Sequence, residues 1–303
     1  MDQSVQLRQV PNFRDVGLTV NRFLGRKLVR EGLFYRSARP EQTDAACPED
    51  RALLRDRLGI KTIIDLRTDT ELRQQAKKQQ QQRPDLYSPP ASSSSWAKVP
   101  APTWSSSSPR IEGIGYLPVN IIGRPVERYL MSQLTWWAFI KTICLFLLGY
   151  RLHVTRIMAS EVLVPIGLLG LGKAALDHAG AEIRQVLSLY THPQATPALV
   201  HCTLGKDRTG LVCTLILLIL GVPVAAIEHD YFLTDDALVS DRAERLVEVR
   251  NAGFSDEWAG TADNMIVGTE SHLATKYGGL DAYLDHIGFG GYERAKLRKA
   301  LLY

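Results

Sequence analysis

The sequence predicts an α/β protein, a core of short strands surrounded by many helices. Three observations predict it. IKTIIDLRT (60–68) and TPALVHC (196–202) are short apolar runs of strand length, the first β-branched at its core. RTGLVCTLILLILG (208–221) follows the second run directly and reads as a buried helix. Helical stretches occupy most of the remaining chain.

The opening section reads as short strands and turns, QVPNFRDVG and then KLVREGLFYRSARP, where apolar and charged positions partly alternate. Pro48 suits the first turn of a helix over 48–58. IKTIIDLRT is bounded by turn-forming residues and is predicted as an interior strand, continued by DTELRQQAKK as a polar helix. The composition then shifts. Residues 79–109, QQQQRPDLYSPPASSSSWAKVPAPTWSSSSP, are glutamine, serine and proline around Trp96 and Trp104. So little apolar area cannot offset the entropy of ordering, and the stretch is read as a disordered insertion. IGYLPVNI (114–121) is predicted as a strand, and residues 125 to about 190 as an apolar helical block with breaks near Gly149, Pro165 and Gly170. The helix over 208–221 stops at Gly221 and Pro223. The remainder is mostly helical, with Thr234 a capping candidate for TDDALVSDRAERLVEVR. The whole of 1–303 is expected to form one domain carrying these two insertions.

Bulk properties narrow the function. A chain of 303 residues with 45% hydrophobic and 22% charged residues can bury a core without crosslinks. A net charge of +4 gives no polyanion-binding arm, so a nucleic-acid partner is not expected. The first forty residues do concentrate Arg8, Arg14, Arg22, Arg26, Lys27, Arg30, Arg36 and Arg39, which suits an anionic substrate or a solvated face equally. Cys47, Cys144, Cys202 and Cys213 show no paired or CxxC spacing. That argues for a reducing, cytoplasmic setting and against a disulfide framework or zinc site. The start, MDQSVQLRQVPNFRD, lacks the apolar core of a signal peptide. LTWWAFIKTICLFLLGY (134–150) is interrupted by Lys141, and VLVPIGLLGLG (162–172) by proline and glycine. Both fall short of the roughly twenty apolar residues of a spanning helix, and no transmembrane span is expected.

The chemistry concentrates in LVHCTLGKDRTGLV (199–212). A strand delivers Cys202, a five-residue loop follows, and Arg208 opens an apolar helix. Backbone N–H groups of such a loop, with the positive end of a helix, make a cradle for an oxyanion and favour a thiolate held there. Arg208 can grip two phosphoryl oxygens with its planar guanidinium. Gly205 permits the tight turn and Gly210 close packing of loop and helix. Thr209 could hydrogen-bond the thiolate, and His201 could buttress the loop from below. Singly these residues are weak signals; Cys213, five residues into the helix, reads as inert core. Jointly, H-C-x-x-G-K-D-R-T-G between strand and helix points to a cysteine nucleophile.

The loop resembles the C-x5-R phosphate loop of the protein tyrosine phosphatase superfamily. Its GKDRTG ending is similar to the atypical tyrosine/serine protein phosphatase family of bacteria and fungi. NFRDVG (12–17), LFYRSARP (33–40), IIDLRTDTE (63–71) and KYGGLDAYLDHIG (276–288) extend the likeness over nearly the whole chain, with 79–109 as the main departure. The resemblance implies a central sheet flanked by helices and the phosphate loop, Thr203 and Leu204 included, at a strand's C-terminal end. It implies attack by Cys202, a phosphocysteine, protonation of the leaving oxygen by a general acid, and hydrolysis, with no metal or other cofactor. Two carboxylates are candidates for the acid. Asp207 belongs to the family's KDR signature, and its alternative role is to anchor the loop. Asp65 could reach the same mouth if its strand neighbours the cysteine strand, and otherwise orients Arg67. Lys206 could hold a further phosphate, as in phosphoinositide phosphatases, or be a solvated rim charge. By the same resemblance Asn12, Phe13, Arg14 and Asp15 would line the substrate entrance, with Arg36 and Ser37 on similar ground. Related proteins carry lid helices over the region 125–190. Here Trp136, Trp137, Phe139, Leu145 and Phe146 read first as core. A lid or a transient membrane-surface contact is the sharper alternative. The expected substrate is phosphotyrosine in proteins, with phosphoserine or phosphothreonine besides. The alternatives are a phosphoinositide and a scaffold that binds phosphate without turnover.

Overall fold

The computed structural model describes residues 7–40, 47–82, 111–240 and 242–303. In chain order its strands are β1 (Arg14–Asp15), β2 (Phe34–Ser37), β3 (Thr62–Asp65), β4 (Gly115–Pro118) and β5 (Ala198–His201). The helices before β5 are α1 (Val16–Leu24), α2 (Pro48–Ala52), α3 (Asp69–Gln82), α4 (Arg124–Ser132), α5 (Trp136–Leu147), α6 (Arg151–Met158), α7 (Val164–His178) and α8 (Gly180–Leu189). After it come α9 (Asp207–Ile219), α10 (Val224–Ala237), α11 (Arg242–Asn251), α12 (Met265–His272), α13 (Leu280–His286) and α14 (Gly291–Leu301).

The sheet has the order β1-β2-β5-β3-β4, with β1 antiparallel to β2 and the other neighbours parallel. β5 is therefore central, and His201 at its end lies level with Ser37 of β2 and Asp65 of β3. Side chains alternate across the sheet with the period of a strand. Ala198 and Val200 join the larger apolar core, which is filled by helices from α1 to α14. Leu199 faces a smaller cluster with Tyr35, Ile63, Leu54 and Ile60. α9 runs through the larger core with nearly every side chain buried, so the loop that feeds it is fixed at both ends.

The predicted strands over 60–68, 114–121 and 196–202 and the helix over 208–221 are present with shifted ends. Three readings change. α1 was not foreseen in the opening section: Asp15 caps it by accepting from the Leu18 N–H, and Gly25, at φ 63°, ends it. Thr234 is no cap; it lies buried inside α10, where its Oγ1 accepts from Arg14. The aromatic stretch of α5 is not core. Trp136, Trp137 and Phe146 stand 69%, 79% and 57% exposed, because only Ala138 and Thr142 of that helix are buried. Of the predicted 79–109 insertion, 79–82 continue the α3 backbone and the rest lies outside the described residues.

One helical run among the described residues, Arg151–His178, is long and apolar enough to cross a membrane by length and composition. Gly167, at φ 66° and ψ −178°, breaks it. Beyond that break Leu168, Ala174, Ala175 and Leu176 are buried in the protein's own core.

Candidate active site

Cys202 follows the last residue of β5, and α9 begins at Asp207, so the turn between them is short. Gly205 is required there twice over. Its φ is 66°, and an added Cβ would stand 2.1 Å from the Ser37 carbonyl oxygen. Gly210 permits a different approach from the one expected, with an added Cβ falling 2.8 Å from the Tyr231 ring of α10.

The loop's carbonyls are claimed from outside. Asn12 Nδ2 donates to the Leu204 and Gly205 oxygens at 3.0 Å each, and Arg36 Nη2 donates to Gly205 O at 2.7 Å. Arg39 N–H donates to Thr203 O at 3.3 Å, while Lys206 O accepts the first-turn bond of α9 itself, from the Gly210 N–H at 2.7 Å. A peptide plane carries its N–H opposite its C=O, so carbonyls pinned outward turn the amides toward the concave side. The helix N-terminus of α9 adds its positive partial charge at the same place.

Asn12 and Arg14 form a brace beneath the loop, not the expected entrance. Asn12 is buried, at φ 60°. Arg14 donates to Asn12 Oδ1, to Asp230 Oδ1 at 2.8 Å and to Thr234 Oγ1 at 3.1 Å. Arg36 Nη1 donates to the other Asp230 oxygen at 2.5 Å. Burial works to raise the Asp230 carboxyl, but the two guanidiniums outweigh it and hold it below the usual range. Phe13 stacks on Tyr35 at 5.6 Å, and Asp15 caps α1. Ser37 Oγ donates to the Ala38 carbonyl.

Arg208 is held by Glu71, a residue that entered the sequence reading only within the IIDLRTDTE stretch. Its Nη1 and Nη2 donate to Glu71 Oε2 and Oε1 at 2.6 Å each, and Nη1 also reaches Leu66 O at 3.2 Å. Thr203 Oγ1 donates to Glu71 Oε1 at 2.5 Å. Burial favours the neutral acid, but Arg208, Thr203 and the Thr68 amide bring Glu71 down to about 2. Burial likewise works against the Arg208 charge, and Glu71 and Cys202 overcome it. The signal was the T-D-T-E capping box, since Thr68 and Glu71 exchange hydrogen bonds at the start of α3. Asp230 had no comparable signal.

The two acid candidates separate. Asp65 binds Arg67 through Oδ1 to Nε at 2.8 Å and Oδ2 to Nη2 at 2.5 Å, and lies 3.9 Å from His201 Nε2. Burial works to raise its carboxyl, but His201 and Arg67 prevail and hold it below the usual range. β3 does neighbour the cysteine strand, and the bonds Asp65 makes there are those of its alternative role, orienting Arg67. Asp207 has one buried oxygen, Oδ1, with no hydrogen-bond partner among the described residues, while 32% of the side chain reaches solvent. Burial pushes its carboxyl up, against the pull of Lys206 and Arg208. Lys206 is also corrected. It is 1% exposed, and its Nζ donates to Trp258 O at 2.9 Å and Gly260 O at 2.5 Å, so it ties the loop to the 256–260 turn.

His201 is buried, and its Nδ1 lies 3.1 Å from the Cys202 carbonyl oxygen. Thr209 is fully buried, and its Oγ1 has no hydrogen-bond partner among the described residues. Burial pushes the Cys213 thiol up to about 12, in keeping with inert core. Beside the loop opens a cleft of about 310 Å³ lined by Arg39, Arg67, Thr203, Leu204, Arg245 and Glu248 among others.

A parallel strand that ends in a cysteine, a glycine turn with outward carbonyls and a carboxylate-anchored arginine at a helix start define the class: an α/β phosphatase. The sequence profile of the tyrosine phosphatase family matches residues 5–112 and 168–303. The chain belongs to that family. A tyrosine-protein phosphatase of Nostoc commune is 31% identical over 139 residues, 42% of this chain, and the match spans about half (46%) of that relative. The triple specificity protein phosphatase PtpB of Mycobacterium tuberculosis is 25% identical over 316 residues, 98% of this chain and 99% of its own length.

Proposed function

We propose that this chain hydrolyses phosphate monoesters, phosphotyrosine in proteins first, through a phosphocysteine at Cys202. Cys202 Sγ forms a bond to phosphorus as the ester P–O bond breaks, and the leaving oxygen takes a proton from Asp207. Water then attacks phosphorus, the S–P bond breaks, and the water's proton passes to Asp207. Arg208 and the loop amides bear the charge of the equatorial oxygens.

The single observation that carries this reading is the loop's frame. Outward carbonyls and the Glu71–Arg208 pair support a preorganised oxyanion site, and the raised Asp207 carboxyl supports a proton donor at its rim. The name of the M. tuberculosis relative, triple specificity protein phosphatase, supports a range wider than phosphotyrosine. The phosphoinositide alternative drew on Lys206, whose ammonium is engaged by backbone carbonyls, and so loses its main support.

The test is phosphate release from phosphotyrosine, phosphoserine and phosphoinositide substrates by wild type and by Cys202→Ser. The variant is expected to bind phosphate and turn over none of them. Near-wild-type turnover by Cys202→Ser would refute the nucleophile, and release only from phosphoinositides would refute the protein substrate.

A further inference from the structure

We propose that the helical hairpin formed by α5 and α6 docks this protein on an anionic lipid bilayer, lying in the interface and not crossing it. Its solvent face is apolar along α5 and the turn that follows, with Leu152 of α6 exposed beside it. Trp136, Trp137, Phe146, Leu147, Leu148 and Tyr150 are exposed, with Leu147 78% exposed. Singly exposed apolar side chains are ordinary, but a contiguous face of this kind marks an interaction site. The family profile leaves residues 113–167 unmatched, so the face sits on a segment outside the family's shared sequence.

Charge selects the occupant. The hairpin itself, residues 136–158, contains Lys141, Arg151 and Arg156 and not one Asp or Glu, with Glu127 and Glu161 outside it. A second copy placed on this face would set like charges together. The chain's own segment 83–110 is no better matched, since it carries Arg83, Lys98 and Arg110 against Asp85 alone. An anionic headgroup layer satisfies both features at once. It attracts juxtamembrane cations and takes Trp, Phe and Leu into the boundary with the acyl chains. Trp136 and Trp137 at one end of α5 and Tyr150 past the other are the amphipathic rings that favour this depth.

Length argues for lying in the interface. α5 and α6 have 12 and 8 residues, about 18 and 12 Å, against a hydrocarbon core of roughly 30 Å. The longer run, 151–178, breaks at Gly167 and continues into the protein core. The hairpin also has a fixed relation to the cleft. Arg156 Nε donates to Asn251 O at the end of α11 at 3.2 Å, while Arg245 and Glu248 of α11 line the cleft beside the phosphate loop. The ten-residue α11 is about 15 Å long, so the cleft-lining residues of α11 lie within that length of the Arg156 contact.

The test is flotation of the full chain with phosphatidylcholine vesicles with and without phosphatidylserine. Wild type is expected to float with the anionic vesicles, less so at high salt, and weakly with phosphatidylcholine alone. The double variant Trp136→Ser/Trp137→Ser should cut binding by on the order of tenfold or more. Lys141→Glu/Arg151→Glu should cut it by about fivefold per charge on anionic vesicles. Both pairs of sites are exposed, so wild-type turnover of a soluble aryl phosphate by each variant checks the fold. Absence of flotation, or flotation unchanged in both variants, would overturn the proposal. So would a dimer abolished by the tryptophan variant without any vesicle binding. Vesicle-bound protein that resists alkaline carbonate would instead mean a spanning helix and would overturn it too.

Discussion

Replacing Glu71 by Gln isolates what one carboxylate does for the arginine of the site. Gln keeps the shape and a carbonyl acceptor for Thr68, but it removes the charge that faces both Arg208 nitrogens at 2.6 Å. The carboxyl is brought from its ordinary 4.5 to about 2. Each pH unit of such a displacement is worth about 1.4 kcal/mol, so the charged form contributes on the order of 3 kcal/mol, somewhat less at a site with 29% of its side chain exposed. The sign follows from linkage. A depressed carboxyl gives stability that is complete above pH 4.5 and is lost as the pH falls through about 2. Urea unfolding should therefore show Glu71→Gln less stable than wild type by about 2–3 kcal/mol at pH 7, with the gap roughly halved near pH 3. The aryl phosphatase rate at pH 7 should fall about 10- to 100-fold, since a mobile guanidinium no longer meets the developing charge. A stability gap that stays constant from pH 7 to pH 3, or full activity in the variant, would refute the reasoning.

Four further outcomes are expected. Asp207→Asn should slow esters with poor leaving groups far more than esters with good ones, and should remove the basic limb of the kcat/KM profile; equal slowing of both ester types would point to anchoring. Asp65→Asn should show no such dependence on the leaving group, because its carboxylate serves Arg67. Asp230→Ala should destabilise by about 3–5 kcal/mol in urea, because Arg14 and Arg36 would lose their shared buried counter-charge; a loss under 1 kcal/mol would refute that account. Gly205→Ala should cost about 2–4 kcal/mol and abolish turnover, as it pairs a left-handed φ with a backbone overlap; a variant of native stability would show that the loop relaxes freely.

The loop was readable because its chemistry is contiguous. His201, Cys202, Gly205, Arg208 and Gly210 lie within ten residues, and the neighbouring strand and helix show their own apolar patterns. Glu71 was half readable: the capping box marks it as the start of α3, but nothing local says that the same carboxylate grips Arg208, 137 positions away. The exposed face of α5 was misread because apolar periodicity reports a face without saying what covers it.

By itself the sequence determined the strand–loop–helix, the nucleophile candidate and the α/β class, since each rests on residues adjacent in the chain. The tertiary structure decided how the charges pair. The parallel register of β3 on β5 sets Asp65 beside His201 and leaves it to Arg67, while one Asp207 oxygen at the loop has no partner among the described residues. α10 brings Asp230 to Arg14 across 216 positions of sequence, and the 256–260 turn takes Lys206 out of the site. A carboxylate's role depends on which cation reaches it first in space, and that distance exists only once the chain has folded.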